Sequence, residues 1–132
     1  MRIKSLSIFL LASALVVVFA AQVTQAQDPI KKKRLRSPAT IRDVIGGESQ
    51  AYYVIHARKG QTLTVSISWK KEDDNTASFG VSPDAGDNGE PLAGKETDDG
   101  KSWTGRIPAT ADYLISVVAH PVAHYTLKVK LR

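Results

Sequence analysis

Two histidines stand four residues apart near the end of the chain, His120 and His124 in "AHPVAHYTLKVKLR". That is the spacing of the metalloprotease H-E-x-x-H pair. The pair works because a helix brings i and i+4 to one face and a glutamate between them supplies the base. Here Pro121 follows the first histidine, and alternating apolar residues on both sides read as strands. Protease chemistry is therefore excluded. The pattern predicts a hairpin tip with both imidazoles on the outward parity, about 5 Å apart if directly opposed. Such a tip is a solvated turn, a partner-contact loop or, with two ligands and no third, a weak metal pair.

Carboxylates form the second group. "DAGDNGE" offers Asp84, Asp87, Asn88 and Glu90 as oxygen ligands, but the spacing is not that of an EF-hand loop. Residues 72–99 hold nine acids and one base, Lys95. The alternatives for this segment are a solvated loop, a calcium loop, or an acidic surface for a basic partner. Against it stands "KKKRLR", with Lys31, Lys32, Lys33, Arg34 and Arg36. These are candidates for weak, salt-sensitive contact with an anionic envelope polymer; export argues against nucleic acid. The chain has no cysteine, no G-x-S-x-G and no glycine-rich phosphate loop. No catalytic residue, cofactor or metal is assigned, and the chain reads as non-enzymatic.

The elements that must position these residues follow from periodicity. Arg2 and Lys4 precede an apolar run over residues 6–21, and Thr24-Gln25-Ala26 then offers small residues at the signal-peptidase positions. Residues 1–26 read as a cleaved signal peptide, which places the chain in a periplasm or outside the cell and leaves no transmembrane segment in the mature form. Residues 27–38 read as a flexible basic arm, and 39–132 as one domain. In "QTLTVSISW", Leu63, Val65, Ile67 and Trp69 alternate with Thr and Ser, the mark of a half-buried strand. Similar runs recur, separated by Gly, Pro and Asp turns. They predict an all-β fold, an antiparallel, jelly-roll-like β-sandwich of seven to eight short strands.

The runs "ARKGQTLTV", "FGVSP", "WTGRIP", "DYLISV" and "HYTLKV" together resemble bacterial periplasmic inhibitors of goose-type lysozyme over about residues 50–131. They are also similar to bacterial pre-peptidase C-terminal domains. The first resemblance implies an exported inhibitor that inserts loops into a lysozyme cleft, and acidic loops would steer a basic enzyme toward it. The partner-contact residues expected on this reading are His120, Pro121, His124, Asp84, Asp87 and Glu90. One departure matters: the family's last strand connection is longer and rich in arginine, whereas here it is "HPVAH". The rivals are a carbohydrate- or cell-wall-binding module, stabilised or not by calcium, and a structural envelope protein.

Overall fold

A computed structural model describes residues 31–85 and 90–132. The predicted signal segment, the first residues of the arm, Asp87 and Asn88 lie outside the described residues. The described chain holds nine strands: β1 (Lys32–Leu35), β2 (Ala39–Gly46), β3 (Gln50–Ala57), β4 (Thr62–Trp69), β5 (Thr76–Pro83), β6 (Lys95–Thr97), β7 (Ser102–Arg106), β8 (Ala111–His120) and β9 (Val122–Leu131). They form two sheets, ordered β1-β3-β8-β5 and β2-β9-β4-β7-β6. All pairings are antiparallel except that of β1 with β3. The fold is the expected β-sandwich.

Alternation builds the core. Leu63, Val65 and Ile67 of β4 are buried, as are Tyr113, Ile115 and Val117 of β8 and Tyr125, Leu127 and Val129 of β9. Their sheets face each other about 10 Å apart. Two hydroxyls meet inside this apolar layer, Tyr53 of β3 with Tyr125 of β9. Each satisfies the other, and burial pushes both phenols above the usual tyrosine range, so both stay neutral. Tyr113 adds a brace, donating its hydroxyl to the Ala109 carbonyl at 2.6 Å at the start of β8.

The predicted hairpin of β8 and β9 does not exist. The two strands belong to different sheets, and only Pro121 separates them. Two Cα steps span at most about 7 Å, less than the ~10 Å between packed sheets. The layers must converge at this corner. The inward residues there are correspondingly small: Ala77, Ala119 and Ala123 are all buried. Opposite them, a Cβ on Gly46 would overlap the Val122 side chain and the Pro121 carbonyl.

The basic arm is also corrected. Residues 32–35 form β1, paired in parallel with β3 from Lys32 opposite Tyr52 to Leu35 opposite Ile55. Ion pairs fasten it across the outer face of the first sheet. Lys32 reaches Asp84 at 2.7 Å, and Arg34 reaches Asp112 at 3.0 Å. Asp112 also meets His56 Nδ1 at 2.9 Å. Leu35 joins the core. Acids at the ends of β5 and β8 thus neutralise two of the five charges expected to reach outward.

Two long strands stand at sheet edges, β5, which the Leu92 N–H caps at the Val81 carbonyl, and β2. The bonded partnership of β2 with β9 includes Gly47 N–H to the Pro121 carbonyl at 2.8 Å, which sets the alternation so that the Val44 N–H points away from β9. The Asp43 carboxylate accepts that N–H at 2.8 Å. Asp43 lies on the inward parity between Ile41 and Ile45 yet is exposed. A charge at such a position blocks a second strand from pairing onto the edge.

Two outcomes are expected. Asp43→Val should associate with itself as concentration rises, read by sedimentation velocity, while the wild type stays in its original state. The Arg34 guanidinium, with His56, holds the Asp112 carboxyl down to about 2 from an ordinary 3.8. A depressed carboxyl contributes stability that is present above about pH 4 and is lost as pH falls toward 2. In Arg34→Gln the Asp112 titration, followed by carboxyl NMR, should move up toward the ordinary value. The stability gap between wild type and variant should close over that same window.

Candidate binding surface

The chain reversals collect at two ends of the sandwich. The upper end holds the β8–β9 corner, the β2–β3 turn (residues 47–49), the β4–β5 loop (70–75) and the β6–β7 turn (98–101). The lower end holds residues 36–38, 58–61, 107–110 and Arg132.

Asn75 organises the upper end and is the one buried polar residue among those described. Its amide nitrogen donates to the carbonyls of Lys70 and Val122, both at 3.0 Å, and its carbonyl oxygen accepts the Glu72 N–H at 3.0 Å. The amide thereby ties the β4–β5 loop to the start of β9. The Asn75 backbone carbonyl also accepts the Trp69 indole N–H at 3.2 Å. Within the loop Asn75 N–H returns to the Glu72 carbonyl at 2.9 Å, and Asp73 and Asp74 take φ of 47° and 54°. The β6–β7 turn repeats the device, with Lys101 N–H on the Asp98 carbonyl and positive φ at Asp98, Asp99 and Gly100. Aspartate tolerates this left-handed region better than most residues. Both Asp-Asp pairs are therefore turn-formers that leave their carboxylates in water.

The upper end is acidic in consequence. Glu48, Asp73, Asp74, Asp98 and Asp99 are exposed and make no ion pair among the described residues. Glu72 is engaged by Lys70 at 3.0 Å, which lowers its carboxyl below the usual range. Lys101 lies over the Trp69 ring, 5.1 Å from its centroid. The only large apolar side chains exposed among the described residues, Val44, Val118 and Val122, gather here too. Val44, Trp69, Lys70 and His124 line a shallow groove of about 530 Å³ on the second sheet's side. Val118, Thr76, Glu48 and His120 line another of about 290 Å³ on the first sheet's side.

This arrangement separates the residues expected to act together. His120 and His124 do both face outward, but from different sheets, so they point to opposite sides of the molecule and line different grooves. Pro121 is exposed between them. Asp84 lies past the far end of β5, whose first residue, Thr76, opposes His120. Eight strand residues put the two about 25 Å apart. Its carboxylate is taken by Lys32, and Glu90 is exposed on the connection that returns beside β5. The upper-end acids are instead the Asp-Asp turns and Glu48. Their signal in the sequence was "EDDN" and "DDGK", where acids coincide with turn chemistry. Among the described residues no group of three metal-binding side chains exists. The described Trp, Tyr and Phe side chains are buried or half-buried; the half-buried ones are Tyr52 on the outer face of the first sheet, Trp69 at the groove and Phe79.

Several solved structures share the fold. The periplasmic inhibitor of g-type lysozyme, PliG, from Aeromonas hydrophila superposes with a TM-score of 0.63 at 22% identity, covering 76% of this chain and 96% of that one. PliG from Salmonella Typhimurium gives 0.57 at 20%, covering 77% and 99%. The pre-peptidase C-terminal domain of a Bacillus anthracis collagenase gives 0.60 at 17%, covering 79% and 99%. Both resemblances read in the sequence are thus represented among structures of the same sandwich. No protein-family model and no curated protein matches the chain.

Asn75→Ala should take from two carbonyls and one N–H at a part-buried site the partner they now have. It should cost about 2–3 kcal/mol and lower Tm by roughly 10–20 °C, measured by thermal unfolding, whereas Lys71→Ala on the same loop should change little.

Proposed function

We propose that this chain is an exported, non-enzymatic binding protein that inhibits a lysozyme, of the goose type, by seating its upper end in the enzyme's cleft. The observation that carries the reading is the composition of that end. Exposed valines at the corner are rimmed by unpaired carboxylates, on a sandwich of the same fold as inhibitors of g-type lysozyme. An apolar centre excludes water from a contact, while a charged rim steers the encounter. Lysozymes are commonly basic, so an acidic rim suits their surface. Val122 and Pro121 are exposed at the one-residue link between the sheets, and on this reading they enter the cleft. His120 and His124 flank that point from either side, each positioned to meet a different wall. The short corner takes the place of the longer arginine-rich connection of the family, so contact here relies on valine, proline and imidazole.

Muramidase assays against goose-, chicken- and invertebrate-type lysozymes test this directly. Wild type should inhibit the goose type most strongly. Asp73→Asn/Asp74→Asn keeps residues tolerated at positive φ. It should slow association about 10-fold at low salt and flatten its salt dependence. Val122→Asp should speed dissociation. Failure of the wild type to inhibit any of the three classes ends the proposal.

A further inference from the structure

The outer face of the second sheet arranges its cations in a regular setting. Because Leu63, Val65 and Ile67 face the core, Thr64, Ser66 and Ser68 face outward. Strand register then fixes their neighbours on that face. Lys130 stands opposite Thr64, Lys128 opposite Ser66, and Arg106 opposite Thr62. Arg42 stands opposite Thr126, and Lys95 opposite Thr104. Each of these cations has a hydroxyl residue about 5 Å away on the neighbouring strand.

Among the described strand residues of this sheet, no carboxylate has the outward parity. The acids carried by these strands, Asp43 and Glu96, have the other parity, opposite Tyr125 and Trp103. None of the five cations makes an ion pair among the described residues. The first sheet is different, since there Lys32 and Arg34 are answered by Asp84 and Asp112. Like charges held on a flat surface without counter-charge repel one another, and an external anion relieves that repulsion. The hydroxyls between them add short-range donors and acceptors.

We infer that this face binds a linear anionic polysaccharide laid across the strands, its carboxylates at the Lys and Arg side chains and its sugar hydroxyls bonded to the Ser and Thr row. A lipid surface fits less well. The exposed valines lie at the upper rim, away from Lys128, Lys130 and Arg106, and charge alone without an apolar anchor gives weak, reversible membrane attachment. The inference stands apart from lysozyme inhibition, because Lys128, Lys130 and Arg106 lie along the middle and lower part of this face, whereas Val44, Val122 and His124 hold its upper rim beside Arg42.

Immobilised polygalacturonate is the probe, with the purified chain at about 50 mM salt, where polyanion contacts are strong. Wild type should be retained, and the logarithm of its affinity should fall linearly with the logarithm of salt. Lys128→Gln/Lys130→Gln, both at exposed positions, should bind about 10-fold more weakly with a shallower salt slope. Thr64→Ala/Ser66→Ala should weaken binding without changing the slope. Asp73→Asn/Asp74→Asn, altered only at the loop end, should bind the polymer as wild type does. Unchanged affinity in the lysine variant would overturn the proposal. So would tighter binding to vesicles of about 30% phosphatidylglycerol than to the polymer.

Discussion

A single residue joins the interior strands of two sheets. β8 lies between β3 and β5 in one layer, and β9 lies between β2 and β4 in the other. Pro121 alone carries the chain across. So short a link forces the layers together at one corner, which in turn demands Ala77, Ala119 and Ala123 beneath it and Gly46 beside it. Further from the corner the gap is filled by larger groups, including the paired hydroxyls of Tyr53 and Tyr125. The same corner presents Pro121 and Val122 to solvent. Its geometry therefore decides both how the core tapers and what the upper end offers a partner. Asn75 completes the arrangement by bonding the neighbouring loop to the first residue of β9.

Charge is distributed by the fold in a way the linear order conceals. The formal excess of +5 describes no surface of the molecule. Unpaired acids collect on turns at the upper end. Cations line the outer face of the second sheet, while on the first sheet opposite charges neutralise one another across β1, β5 and β8. Burial and pairing leave these surfaces chemically distinct: one end able to meet a basic protein, one face able to meet an anionic chain.

Much of this was legible in the residues. Alternation in "QTLTVSISW" and in the last two strands gave their existence and their inward faces correctly, because the core side of a half-buried strand is a local property. Which strand pairs with which is not local. "HPVAH" has the length of a hairpin, and nothing in its composition distinguishes a turn within one sheet from a step between two. β1 escaped detection because four residues with three cations carry no apolar period; its stability comes from Asp84 and Asp112, distant in sequence. In β2 Asp43 interrupts the inward parity between Ile41 and Ile45, and that interruption serves the edge. The Asp-Asp turns were visible as turns, but only the sheet order brings both to the same end as the corner.

The upper end is the surface through which this molecule is proposed to act on a protein. Hydrogen exchange of the chain with and without a saturating goose-type lysozyme tests that most directly. Slowed exchange should be confined to the β2–β3 turn, the β4–β5 loop, the β6–β7 turn and the residues flanking Pro121. Protection centred on the lower end or on the outer face of the second sheet, or no protection at all, would contradict it.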